Sequence, residues 1–227
     1  MVASILDIVT LAVILLIAIW LHEYSHAYVS YKLWDPTPKL QWRLTTNPLK
    51  HIDIIWFLMI FLIWFWWWKP VQINPSYYKN PLKWELLVAL AWPAMNLVLA
   101  IAWIFLLIFS SNIIGLDFQN IKIIVDEVRL TWSVIWSYFL LRFFILFSML
   151  NIGLAIFNMI PVAPLDGFSI IKMVFPKFAN MIRPYTQYIT LWFLILLFSR
   201  WPFSSFLSWT REILFRWIFT FFSSIFY

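Results

Sequence analysis

The sequence predicts an all-α, multi-pass membrane protein, with about 4–6 transmembrane helices and a short re-entrant or strand-like segment. Two observations carry that prediction. The first is composition: of 227 residues, 64% are hydrophobic and only 11% charged, with a mean hydropathy of +0.86. A soluble domain carries roughly 25% charged residues, so this chain has too few to cover a water-facing surface. The second is a series of long apolar runs separated by short segments of biased charge. The length fits one membrane-embedded domain over 1–227, with a motif-bearing core at about 5–172 and C-terminal hydrophobic helices over 185–227. With no cysteine there is no disulfide and no thiolate ligand or nucleophile. The net charge of +6 is explained by Lys and Arg flanking membrane spans, so a nucleic-acid partner is not expected and the lipid bilayer is.

The first run, Ile8–Leu21, continues into His22-Glu23-Tyr24-Ser25-His26. It lacks the basic start and small-residue cleavage site of a signal peptide. Ile54–Trp68 is uncharged but shorter than the roughly 20 residues a span needs, which predicts a tilted or re-entrant helix. Leu86–Leu116 has no charge, and Leu130–Leu165 has only Arg142; both are long enough to span. Tyr185–Ser199 and Ile213–Tyr227 are short, and read as two spans or as one span and an interfacial helix. Basic residues concentrate in 29–53 (Lys32, Lys39, Arg43, Lys50), 69–85 (Lys69, Lys79, Lys83) and 168–184 (Lys172, Lys177, Arg183). The 117–129 segment is the acidic one, with Lys122 and Arg129 against Asp117, Asp126 and Glu127. The positive-inside bias then puts the three basic segments in the cytoplasm, 117–129 outside, and His22 to His26 near the cytoplasmic end of helix 1.

His22-Glu23-Tyr24-Ser25-His26 is an H-E-x-x-H pattern on a predicted helix. At about 100° per residue, positions i and i+4 lie about 40° apart on one face, so both imidazoles can reach one Zn²⁺ while Glu23 reaches its water. Two interfacial histidines reaching for headgroups are the bland alternative. Ionisable groups at the end of an apolar helix are costly and favour a functional role. A catalytic zinc needs a third protein ligand, and Asp166 is the best candidate. It follows Pro161 and Pro164, which break the helix, and precedes Gly167, which permits a tight turn. Charge bias returns it to the side of His22 and His26. An ordinary capping Asp is the alternative, but irregular backbone at membrane depth must line a cavity or be buried in protein.

Taken together, H-E-x-x-H, Asn47-Pro48-Leu49-Lys50-His51-Ile52-Asp53, Lys69-Pro70-Val71-Gln72-Ile73-Asn74-Pro75, Pro93-Ala94-Met95-Asn96 and Asn158 through Gly167 resemble the site-2 protease family of intramembrane zinc metalloproteases. The resemblance is to its short bacterial branch and runs from about residue 20 to 172. It implies His22, His26 and Asp166 as ligands of one Zn²⁺, Glu23 as catalytic glutamate, and Asn96 and Asn158 as residues that handle substrate near the metal. It implies a transmembrane protein or peptide as substrate, and a bacterial cell membrane with the active site towards the cytoplasm. An unwound substrate strand would pair with an edge from 39–45 or 69–75. Competing classes are a membrane metal-binding or transport protein, for which Glu23 has no use, and an inactive scaffold, against which the intact His22, Glu23, His26 and Asp166 set argues. His51 and Arg142 read as structural or interfacial residues, and Asn74-Pro75 as a turn.

The departures from the family form a pattern. There are 17 Trp and 3 Gly. Trp34, Trp42, Trp56, Trp92 and one of Trp66–Trp68 stand where members of the family tend to have glycine, whereas Trp20, Trp84 and Trp201 suit an aromatic belt. The expectation is that these codons are UGA, meaning glycine in the source and translated as tryptophan.

Overall fold

A computed structural model describes residues 5–45, 47, 50, 71–114, 132–163, 165–198 and 202–226. The segment 54–68, the acidic 117–129 segment, His51, Trp56 and Trp66–Trp68 lie outside the described residues.

The protein is an all-α polytopic membrane protein. Its long helices are α1 (Ile5–Lys32), α3 (Pro81–Ile114), α4 (Trp132–Asn158) and α8 (Pro202–Phe226). Short helices connect them: α2 (Thr37–Leu40), α5 (Phe168–Val174), α6 (Pro176–Ile182) and α7 (Thr186–Phe198), with single 3₁₀ turns at Pro75–Tyr77 and Arg183–Tyr185. Among the described residues no strand forms, and three helices are long and apolar enough to cross a bilayer: Val9–Lys32, Pro81–Ile113 and Phe139–Asn158.

Proline and asparagine punctuate the chain as elementary stereochemistry requires. Asn80 caps α3, its Oδ1 accepting the Lys83 N–H at 3.2 Å, and Pro81 occupies the first helical position where no N–H is needed. α2, α6 and α8 likewise have proline in their first turn. Two expectations are corrected. Residues 39–45 are not an extended edge: Pro36 and Pro38 start a helical turn there, and 41–45 are turn and bend. The C-terminal helix is longer than its apolar stretch: it begins back at Pro202, and Arg216 and Glu212 pair on it at i,i+4 (2.9 Å).

α3 packs most extensively on α4, and α1 and α8 pack on the same pair. Ala100, Ile104, Ile108, Ile152 and Ile218 form one buried cluster, and Leu107, Leu141 and Phe144 a second. Val98, Phe109 and Ile113 of α3 face outward, as expected of a helix whose solvent is lipid on one side. This core fixes α3 against α4 and leaves their opposite ends, at Val88–Asn96 and Asn158, to meet His22–His26 of α1.

Candidate metal centre and active site

The periodicity of α1 places His22 and His26 one turn apart, with ring centroids 4.6 Å apart and edge to face. The His26 Nδ1 is 2.8 Å from the Val88 carbonyl of α3, one turn before Pro93. With its proton on Nδ1, His26 presents a bare Nε2, the state a metal ligand requires. That Nε2 lies 3.4 Å from Asp166 Oδ2. One donor atom each from His22, His26 and Asp166 falls within a common 4.8 Å.

Asp166 reaches this point by a tightly closed loop. α4 stops at Asn158; Pro161 then excludes helix, and Gly167 N–H returns to the Asn158 carbonyl at 2.7 Å. A Cβ on Gly167 would lie 2.4 Å from the Met159 oxygen and 2.5 Å from that of Ile160. The glycine is required by close backbone approach, its φ of −57° being ordinary. Thr190 of α7 hydrogen-bonds the Ala163 carbonyl, and Lys172 of α5 pairs with Glu85 of α3, holding the loop on both flanks.

The donor set fits zinc. Tetrahedral bonds of about 2.0–2.1 Å separate ligand atoms by about 3.4 Å, the observed His26–Asp166 spacing. His22 Nδ1 and Asp166 Oδ2 are buried with no hydrogen-bond partner, the orphan state expected of atoms that a cation satisfies. Two imidazoles and one carboxylate leave a fourth position open.

Glu23 stands beside this cluster and outside it. It is 1% exposed; Oε1 is 3.2 Å from His22 Nε2, and Oε2 accepts the Val71 N–H at 2.7 Å. Val71 opens a strap, 71–78, anchored to the end of α1. The Asp35 carboxylate, wholly buried, accepts Ser30 Oγ (2.8 Å), Thr37 N–H (2.9 Å) and Asn74 N–H (2.7 Å). Ser30 Oγ also meets the Tyr78 hydroxyl at 2.7 Å. Burial alone would raise the Asp35 pKa, but the donors from Thr37, Asn74 and Ser30 outweigh it and hold it below its ordinary 3.8. Burial pushes the Tyr78 phenol up to about 12.

A family profile described as peptidase family M50 matches residues 69–199. The chain is also 34% identical over 166 residues to "Putative zinc metalloprotease YwhC" of Bacillus subtilis (strain 168), covering 73% of this chain and 69% of that protein. The chain belongs to peptidase family M50. This is the site-2 protease family that its motifs resemble, and it makes the chain a metalloprotease by family. No solved structure matches this M50 chain.

Of the residues expected at the M50 site, His22, Glu23, His26 and Asp166 come together. Asn96 is fully buried one turn after Trp92, whose ring lies 3.8 Å from that of His22. Its Oδ1 and Nδ2 are buried without a hydrogen-bond partner. Asn158 is half-buried; its side chain bonds the Leu154 carbonyl (3.3 Å), and its main-chain carbonyl closes the Asp166 loop. Arg142 lies exposed on α4, away from the site. Sequence reasoning missed Val71 and Asp35: one acts through its backbone, and the other's partners are distant in sequence. The Asp35-Pro36 turn after α1 was the available signal.

Proposed function

We propose that this chain is a zinc-dependent intramembrane endopeptidase, cutting a peptide bond in a membrane-embedded or membrane-proximal segment of another protein. The observation that carries the reading is Glu23: a buried carboxylate on an apolar helix, held by the Val71 N–H beside three convergent metal-ligand side chains without being one of them. A structural or transport site has no use for such a group.

His22, His26 and Asp166 would hold a zinc ion, which when bound would supply Lewis-acid polarisation of a carbonyl and a water of pKa lowered towards about 7. Glu23 takes the proton of the attacking water on the oxygen that faces His22, while the Val71 N–H fixes the other oxygen. It then hands that proton to the departing amine, so the carboxylate is regenerated. The Val88 carbonyl keeps His26 in one tautomer throughout. A helical substrate hides its amides in its own hydrogen bonds and must unwind locally. The strap at 71–74, extended at Asn74 (φ −120°, ψ 98°), is the backbone edge nearest Glu23 against which such a strand can pair. The excess of Lys and Arg in 29–53 and 168–184 supports a site on the cytoplasmic side of a bacterial cell membrane.

The test compares wild type with Glu23→Gln in zinc content and in cleavage of a panel of single-pass membrane substrates. Zinc should be unchanged and cleavage should fall about 10²–10⁴-fold. Cleavage by Glu23→Gln at the wild-type rate would overturn the mechanism.

A further inference from the structure

Helices α1 and α2 end in the same way. After α1, Trp34 N–H bonds the Tyr31 carbonyl (3.1 Å) and Asp35 N–H bonds that of Ser30 (3.2 Å). After α2, Trp42 N–H bonds the Lys39 carbonyl (3.0 Å) and Arg43 N–H bonds that of Pro38 (2.9 Å). Each pair is the nested 5→2 and 6→1 closure of a Schellman motif, which forces its central residue into the left-handed region. The φ angles are 73° at Trp34 and 57° at Trp42, and these are the positive-φ non-glycine residues of the described chain.

Glycine takes this position because any Cβ crowds the following carbonyl; Asn is the usual substitute, since its side chain can bond locally. Tryptophan has neither advantage. Nor does packing compensate: Trp34 is 72% exposed and Trp42 79%. Two independent closures carry the same ill-suited residue, in a chain with 17 Trp and 3 Gly. Trp92 is a third misfit. It is buried with its ring 3.8 Å from that of His22, and its Nε1 has no partner, so an apolar indole with an unmet donor abuts a metal ligand. Trp103 shows the contrast, its ring packed within 4.6–5.5 Å of Phe147, Phe144 and Phe143.

We infer that positions 34, 42 and 92 are glycine in the protein made by its native cell, their codons being UGA decoded there as glycine. Both helix ends then close without strain. The space filled by the indole beside His22 is open, giving a substrate strand a way to the metal ligands. The inference concerns residue identity and stands whether or not the chain is a protease.

Three measurements test it. The gene should read UGA at positions 34, 42 and 92, with UGG at Trp103; UGG at 34 and 42 overturns the inference. Peptides from the protein isolated from its native cells should have glycine masses at 34 and 42; tryptophan masses there overturn it. In the all-tryptophan protein, Trp34→Gly and Trp42→Gly should each raise the folded-to-unfolded ratio about five-fold, whereas Trp103→Gly should lower it at least ten-fold. Losses at 34 and 42 like that at 103 overturn it. None of these readouts involves proteolysis, so failure here is distinct from failure of the functional reading.

Discussion

Removing the Asp35 carboxylate should detach the strap that holds Glu23. Three donors converge on it, from Ser30, Thr37 and Asn74. In Asp35→Ala the Ser30 hydroxyl keeps Tyr78, so two main-chain donors, at Thr37 and Asn74, lose their acceptor. Each orphaned donor costs about 1–3 kcal/mol, which puts the loss at about 2–6 kcal/mol. For a chain of this size that lowers Tm by on the order of 10 °C. Asp35→Asn keeps one oxygen, enough for Ser30 and Asn74 at the Oδ2 position, and turns an amide N–H₂ on Thr37; its loss should be about 1–3 kcal/mol. Intrinsic tryptophan fluorescence during thermal unfolding in detergent reads both values, and cleavage should decline with them as Val71 leaves Glu23. The Asp35 pKa is lower folded than unfolded, so its stabilisation is complete above the ordinary carboxylate value of 3.8 and vanishes as pH falls through the lower folded value. The gap between wild type and Asp35→Asn should therefore be full at neutral pH and close in acid below about pH 4. Asp35→Ala melting within about 2 °C of wild type at neutral pH would refute the role assigned to this carboxylate.

Elemental analysis of the purified protein should find about one zinc per chain, lost in His22→Ala, His26→Ala and Asp166→Ala; full retention in Asp166→Ala would remove it from the ligand set. Gly167→Ala puts a Cβ against two main-chain carbonyls, so it should destabilise by about 1–3 kcal/mol and weaken zinc binding at least ten-fold by equilibrium dialysis. Cysteines introduced at Lys39, Lys79 and Lys177 should label from the cytoplasm and one at Asp117 from outside; labelling of Lys39 and Lys177 from opposite faces would disprove the proposed orientation.

The helix-borne part of the site was legible because a helix repeats: once α1 is recognised, His22 and His26 must share a face. Asp166 was legible because Pro161, Pro164 and Gly167 leave the chain no regular structure at that point. The residues that hold the site were not. Val71 contributes an N–H, which every residue but proline has, and the Ser30–Asp35–Asn74–Tyr78 cluster requires segments some 40 residues apart to meet. The apparent edge at 39–45 was misjudged because charge and polarity do not distinguish a solvated strand from a helical turn begun by Pro36 and Pro38. α8 was started too late because its first turns, Pro202 to Glu212, mix polar and charged residues with apolar ones and lie outside the apolar run from Ile213.

His22, Glu23 and His26 leave the ribosome roughly 140 residues before Asp166, and at about 5–20 residues per second that is on the order of ten seconds. Throughout that interval the first helix has no third ligand to offer a cation, and until Val71 emerges it has no main-chain donor for its carboxylate. The candidate centre is complete only once α1, the 71–78 strap and the loop after α4 are all present. A fragment ending before Asp166 would therefore hold two of the three candidate ligands and no closed site.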